Sequence, residues 1–236
     1  MSRVAFGDVL WNPGSAVLGV QNAILSGTGP ESWGPSAGAL SIKHMLAGVA
    51  VWRVGRRSFR VEGSAFLVLN HGSVYSLERR AEEPTESFCP FFARGFVEDA
   101  ARTLRASDAE LLDAPDRTPD GVELREHLHV GDSTIVARLR SLARAIRTDS
   151  AAGIEVEGTF AELAAALVLA QEGVAAEIAL VPAARASTRS ELHARLQRGR
   201  ERMHDGLAES LGLREIARAA GVAPHHFHRA FARSTA

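Results

Sequence analysis

Apolar residues between positions 40 and 95 occur in short runs that glycine, proline and polar residues interrupt. Such runs, rich in β-branched and aromatic residues, predict strands separated by tight turns. The predicted strands are Leu46–Val54, Phe59–Glu62, Phe66–Asn70, Val74–Leu77 and Ser87–Phe92. Because no helical pattern lies between them, we expect an antiparallel sheet that closes into a barrel or sandwich. Residues 1–39, rich in Gly, Pro and Ser, are expected to contribute loops and one or two edge strands.

Helical periodicity replaces the strand pattern from about Phe96 onward. Apolar residues three and four positions apart predict a helix that Asp132 caps. Its apolar stripe consists of Ile135, Leu139, Leu142 and Ile146. Helices that follow the strands directly are expected to cover the sheet or to pair with another subunit.

A second helix is predicted to open at a capping box formed by Thr159 and Glu162 and to stop at Gly173. The segment 177–181 is predicted to be a short extended piece. The stretch PAARAST, residues 182–188, is predicted to be an interdomain linker.

The chain after this linker has the spacing of a helix-turn-helix. A helix with a basic outer surface is predicted from the capping box of Thr188 and Glu191. Three further signals follow in order: a glycine that allows a tight turn, an apolar residue that fills the inside of the turn, and a proline in the first turn of a new helix. The predicted core of this unit is Ile216, Ala217, Gly221, Val222, Phe227 and Phe231.

The histidines of the sequence HHFHR can be placed around the predicted last helix. At about 100° per residue, His225, His228 and Arg229 face away from the two phenylalanines, and His226 lies on the far flank. The three imidazoles therefore do not converge on one metal ion, and no nucleophile or paired acid lies nearby in the sequence. An outward face of this kind can donate hydrogen bonds to base edges, with arginine most characteristically contacting guanine.

Charge is distributed unevenly along the chain. Residues 1–184 carry 17 Lys and Arg against 23 Asp and Glu, whereas residues 185–236 carry 10 Arg against 5 acidic residues. The resulting net charges, −6 and +5, predict that the C-terminal end contacts a polyanion. A solvated arginine-rich helical surface is the alternative interpretation.

Composition excludes several other classes. The single cysteine, Cys89, cannot form an intrachain disulfide, and no CxxC pair is present for zinc. No uninterrupted run of eighteen apolar residues predicts a membrane span, and Asp8 and Asn12 interrupt any signal peptide. We therefore expect a cytoplasmic protein that is not associated with a membrane.

The run TRSELHARLQRGRERMHDGLAESLGLREIARAAGVAPHHFHRAFARS resembles the C-terminal DNA-binding domain of AraC-type (AraC/XylS) transcription regulators. The matching elements are ELHARL, LREIARAAGVAP and HFHRAF. The strand block GVAVWRVGRRSFRVEGSAFLVLNHGSVYSL is similar, more loosely, to the sensor domain of that family.

This resemblance implies an α+β fold, with an N-terminal cupin-like antiparallel β-barrel, following helices and an all-α helix-turn-helix module. The implied domains are a sensor barrel over 1–95, a helical dimerisation region over 96–181, the linker over 182–188 and a partial DNA-binding domain over 189–236. The family's domain continues into a second helix-turn-helix, whereas this sequence ends at Ala236. A fragment or a truncated regulator is expected.

The first recognition helix of the family corresponds to Pro224–Ala232. The resemblance implies that His225, His228 and Arg229 read bases. It also implies that Arg214 and Arg233 contact phosphates. Ala223 stands where the family has a capping serine, and the loss of that cap costs about 0.5–2 kcal/mol.

The expected partners are double-stranded DNA, a small-molecule effector and a second copy of the chain. Trp52 and Tyr75 on predicted strands, together with His44 and His71, are the candidates for an effector pocket. The glycine followed by H-x-H of metal-binding cupins is absent from the strand block, so no metal, cofactor or catalytic residue is predicted. Two alternatives remain: a small-molecule-binding or enzymatic cupin with a vestigial tail, and a dimerisation partner that cannot bind DNA alone.

Overall fold

The computed structural model describes residues 8–11, 19–29, 31–79, 84–114, 121–131, 133–149, 152–181, 183–206 and 210–234. The chain divides into two compact units, Met1–Val168 and Leu169–Ala236. The first unit holds the sheets, and the second holds the helix-turn-helix.

Among the described residues of the first unit, ten strands form two antiparallel sheets. The strands are β1 (Asp8–Trp11), β2 (Ala23–Thr28), β3 (Glu31–Ala37), β4 (Ser41–Ala47), β5 (Ala50–Val54), β6 (Arg57–Val61), β7 (Ala65–Leu69), β8 (Val74–Arg79), β9 (Glu86–Phe91) and β10 (Leu128–Val130). Six strands pair in the order β1-β2-β9-β4-β7-β10 and four in the order β3-β8-β5-β6. The predicted α+β class is confirmed. Within the described residues the strands form two separate sheets and not one closed barrel.

The six-stranded sheet is buried on both faces, which explains its nearly continuous apolar strands. One face packs on the four-stranded sheet, so that Met45 and Leu67 contact the cluster that contains Trp52 and Phe59. The other face packs on helices, and Phe66 and Phe88 belong to a cluster with the apolar stripe of the first predicted helix. Burial of this apolar surface is the main stabilising contribution to the unit.

The predicted strand Leu46–Val54 is wrong, because this segment contains a turn between two strands that belong to different sheets. Strand β4 ends at Ala47 and β5 begins at Ala50, with Gly48 between them at a φ of +66°. A β-carbon at Gly48 would lie 2.8 Å from the carbonyl oxygen of Pro84. Only glycine fits this conformation and this close approach, and the apolar residues on both sides conceal the turn.

The N-terminal segment contains more strand than the sequence predicts. Strands β1, β2 and β3 precede Leu40, and β2 is an internal strand between β1 and β9. The short β10, paired with β7, was not predicted either. Its three residues are too few for a period-two pattern to identify.

The helices are α1 (Phe96–Arg105), α2 (Asp108–Asp113), α3 (Ser133–Arg147), α4 (Gly153–Leu180), α5 (Ala186–Asp205), α6 (Leu213–Ala220) and α7 (Pro224–Ser234). Helix α3 agrees with the predicted stripe, since Ile135, Leu139 and Leu142 are buried. The predicted cap, Asp132, lies outside the described residues.

Helix α4 is longer at both ends than predicted. It begins at Gly153, where the carboxylate of Glu155 accepts the Ala152 N–H at 3.0 Å, so the predicted box at Thr159 and Glu162 is wrong. The helix also continues through Gly173, and the segment predicted as extended, 177–181, is helical to Leu180. One glycine costs a helix only about 1 kcal/mol, which the surrounding alanines and leucines offset. By length and composition α4 could cross a membrane, a test that buried helices of soluble proteins also pass.

Helix α5 begins two residues before the predicted capping box. Its first residue is Ala186, and Arg185 is the N-cap without a side-chain cap. The linker predicted over 182–188 therefore includes the first turn of α5.

Candidate nucleic-acid interface

Helices α6 and α7 are joined by a three-residue turn whose geometry Gly221 determines. Gly221 has φ 65° and ψ 35°, in the left-handed region that a side chain disfavours. The Val222 N–H donates to Ala217 O at 3.0 Å, and the Gly221 N–H donates to Arg218 O at 3.0 Å. These two bonds form a Schellman motif, which satisfies the last carbonyls of α6 and sets the direction of the chain into α7.

The helix-turn-helix closes around small residues and two phenylalanines. Ala217 and Phe227 are buried, and Ile216, Val222 and Phe231 are half-buried against the same cluster. Helix α5 packs on this cluster through Leu192 and Leu196. All six residues predicted as the core of the unit therefore lie in its core or, for Gly221, in its turn.

The predicted base-reading residues lie on the opposite side of α7. His225, His228 and Arg229 are exposed, at positions i, i+3 and i+4 of the helix. Arg214 and Arg233, the predicted phosphate contacts, are exposed as well. His226 is also exposed, and it lines a cleft on another side of the helix. Among the described residues no group of three His, Cys, Asp or Glu side chains can hold a metal ion.

Two arginines of α5 hold the turn and are not simply part of a basic surface. Arg195 Nη1 donates to Gly221 O at 3.3 Å, and Arg198 Nη2 donates to Ala220 O at 3.5 Å. Guanidinium groups at these carbonyls complement the negative end of the α6 dipole. From the sequence these two arginines can be identified only as positive charges, because the carbonyls that accept their hydrogen bonds lie more than twenty residues away.

A cleft of about 350 Å³ lies between the start of α5 and the turn. Its lining residues are Thr188, Glu191, Leu192, Arg195, Gly221, Val222, Ala223 and His226. Glu191 and Arg195 form an ion pair at 2.5 Å across one helical turn. The polar groups of the cleft are thus partly paired with each other.

The four predicted effector residues do not converge on one site. Trp52 and Tyr75 are buried between the two sheets. His44 is buried beside Phe66 and Phe88, whose side chains pack against the helices. Burial lowers the pKa of His44, and its Nδ1 lies 2.9 Å from Ala65 O. His71 lies at a turn, where its Nδ1 accepts the Leu40 N–H at 3.2 Å.

The sequence analysis does not predict that a lysine is buried between the sheets. Lys43 is fully buried; its Nζ donates to the Tyr75 hydroxyl at 2.9 Å and lies 3.9 Å from the centre of the Phe91 ring. It is the only lysine of the chain, and Tyr75 and Cys89 are the only tyrosine and cysteine. Burial lowers the pKa of Lys43 to about 8, with Cys89 acting in the opposite direction. Burial likewise raises the pKa of Tyr75 above its ordinary range.

No protein-family model and no curated protein matches the sequence. Solved structures do resemble it. An apo variant of ToxT from Vibrio cholerae has 11% identity and a TM-score of 0.42, with 90% of this chain and 94% of that chain covered. ToxT bound to an unsaturated fatty acid has 11% identity and a TM-score of 0.42, with 89% of each chain covered. The AraC-like transcriptional activator CuxR has 16% identity and a TM-score of 0.36, with 90% of this chain and 71% of that chain covered.

CuxR, an AraC-like activator, is of the type of regulator that the sequence resembles. At these identities the likeness concerns the fold alone.

Proposed function

We propose that this chain is a sequence-specific, DNA-binding transcription regulator of the AraC type. The observation that carries the proposal is the exposed face of α7, where His225, His228 and Arg229 project from a helix that the Gly221 turn holds against α5. A helix presented in this way enters the major groove of DNA, where arginine and histidine donate to base edges. The charge of +5 over residues 185–236 favours the approach to a phosphate backbone.

The other residues take supporting roles in this proposal. Arg214 and Arg233 contact phosphates, which gives affinity and salt dependence but no sequence choice. The DNA-binding module is residues 189–236, and the residues before the linker sense an effector and form a homodimer in the cytoplasm. In the second unit, helix α4 leaves Leu169 and Leu180 exposed, which suits contact with a second copy. Two copies present two reading helices to two half-sites.

The test is DNA binding by the full chain. A gel-shift titration with the DNA upstream of its own gene is expected to show a salt-sensitive complex. Arg229→Ala is expected to weaken that complex by about 1–3 kcal/mol, whereas His226→Ala, on the same helix but outside the reading face, is expected to retain it. A folded wild-type protein that leaves this DNA unshifted, or an Arg229→Ala variant that shifts it normally, contradicts the proposal.

A second candidate is a small-molecule-binding protein whose tail reads no DNA. The pairing of Lys43 with Tyr75 between the sheets favours it, because a buried ammonium and a phenol can recognise a polar ligand. Under this hypothesis calorimetry detects ligand binding that Lys43→Met abolishes, while DNA binding is absent at low salt.

A further inference from the structure

We propose that Glu177, near the end of α4, positions the reading helix α7 through Arg200 of α5. The inference rests on the proposed function, and it assigns a role to two residues that need not touch DNA themselves. Arg200 is one of the basic residues that the sequence alone presents as part of a polyanion-binding surface. Its contacts in the second unit point to an internal role.

Glu177 is the centre of a polar network between α4 and α5. Its Oε2 accepts from Arg200 Nη1 at 2.8 Å and lies 3.3 Å from His193 Nε2. Gln197 Nε2 in turn lies 3.3 Å from His193 Nε2, and both His193 and Gln197 are buried. The hydrogen bond with His193, followed by the one with Arg200, lowers the pKa of Glu177 to about 2. The carboxylate is therefore ionised at neutral pH and holds the guanidinium in one place.

Arg200 connects this network to α7. Its guanidinium carbon lies 5.4 Å from the centre of the Phe231 ring, within the range of a cation–π contact. The Phe231 ring stacks on Phe227, with centroids 5.3 Å apart. These two rings form the anchored side of α7 and thereby set its rotation about its own axis. The rotation determines where His225, His228 and Arg229 point.

A competing role for Arg200 predicts the opposite result. If Arg200 served as a phosphate contact, removal of the Glu177 charge would release it and strengthen DNA binding. If Glu177 positions α7, removal of the same charge weakens DNA binding, even though a negative charge has been taken away from a module that binds a polyanion. The direction of the effect therefore separates the two roles.

The experiment measures DNA affinity of the full chain as Glu177→Gln, Arg200→Gln and the double variant. We expect each single variant to weaken binding by roughly 3- to 30-fold, the range typical of residues that couple through packed contacts. The double variant should be no weaker than the singles, and the slope of log affinity against log salt should stay unchanged. Glu162→Gln, which removes one charge from an exposed ion pair with Arg138, is the matched control and should bind as the wild type does. Tighter or unaltered binding by Glu177→Gln, or a salt slope reduced by about one in Arg200→Gln, overturns the inference.

Hydrogen exchange of the free protein keeps this test independent of DNA. In Glu177→Gln, the amides of residues 227–231 should exchange faster than in the wild type, while those of α6 keep their wild-type rates. If the wild-type protein binds no DNA, the proposed function fails, and exchange alone decides the positioning role. The positioning role would then be refuted if α7 of Glu177→Gln exchanged at the same rates as α7 of the wild type. It would also be refuted if the variant lost protection throughout the second unit, because that result indicates unfolding and not positioning.

Discussion

Gly199 of α5 lies directly against the ring of Phe227 on α7. A β-carbon at position 199 would come within 2.7 Å of Cζ of that ring and would overlap Cε2 as well. The absence of a side chain at this one position lets α7 approach α5 closely. The same ring anchors the face opposite His225 and His228, so the packing at Gly199 fixes the depth at which α7 sits.

Gly199→Ala is therefore expected to destabilise the second unit, although alanine is the better helix former. Overpacking a core costs about 1–3 kcal/mol, against a gain of about 1 kcal/mol in helix propensity. The free energy of unfolding, measured by urea titration, should fall. The matched control is Gly173→Ala in α4, where a β-carbon would meet no atom within 4 Å. That variant should be as stable as the wild type or more stable; equal stabilisation by both substitutions would contradict the close packing at Gly199.

The sequence predicts the helix-turn-helix well because its signals are local. Gly221, Val222 and Pro224 lie within four residues of each other, and the helical period alone turns His225 and Arg229 away from the core. The roles of Arg195, Arg198 and Arg200 could not be predicted in this way. Each depends on a partner at least twenty-two residues distant, and no periodicity identifies such a partner.

Helix boundaries and strand count were predicted less well for a related reason. Thr159 and Glu162 have the residue types of a capping box, yet in the structure the Thr159 hydroxyl donates to Glu155 O within the helix and Glu162 pairs with Arg138. A threonine followed three residues later by a glutamate indicates that a capping box can form. It does not exclude a helix that begins earlier in the chain. The burial of Lys43 cannot be predicted from the sequence, because strand β4 is buried on both faces. Such a strand lacks the alternation of apolar and polar residues that shows which side chains point into the core.

Lys43 gives a prediction about stability at alkaline pH. Its pKa is about 8 in the folded protein and 10.5 in the unfolded chain, so the unfolded state binds more protons between these values. The contribution of Lys43 to the free energy of unfolding should therefore rise as pH increases from about 8 to 10.5, by about 3 kcal/mol at most. Cys89 and Tyr75 titrate in the same window with the opposite sign, because burial raises the pKa of both groups above their ordinary values of 9.0 and 10.0, so their contributions to stability fall as pH rises. Urea titrations at a series of pH values measure the effect.

The control for this prediction is Lys43→Met, which keeps most of the side-chain volume and removes the charge. The difference in unfolding free energy between the wild type and this variant should therefore change in favour of the wild type from pH 8 to 10.5. A difference between the wild type and Lys43→Met that stays constant, or that moves in favour of the variant, from pH 8 to 10 would contradict the lowered pKa of Lys43.

Glu177 gives a prediction at acid pH. Its pKa is lowered from 4.5 to about 2, so its contribution to stability is fully present above pH 4.5 and is lost as pH falls towards 2. The difference in unfolding free energy between the wild type and Glu177→Gln should shrink over this interval. Because the side chain is 36% exposed, solvent screening reduces the size of the effect. A difference that stays constant from pH 5 to pH 2 would mean that Glu177 makes no ionic contribution to the fold.

Arg229 and Arg233 lie on the same helix, and the proposed function gives them different tasks. Arg229 belongs to the base-reading face, so Arg229→Ala should cost about 1–3 kcal/mol on the preferred site and relax the choice of base at one position. Arg233 is proposed to contact phosphate, so Arg233→Ala should weaken binding to all sequences equally and reduce the salt slope by about one. Competition titrations with single-base variants of the site, at two salt concentrations, separate the two effects. If both variants lose affinity uniformly and reduce the salt slope alike, α7 lies along the backbone, and the reading role of His225, His228 and Arg229 must be abandoned.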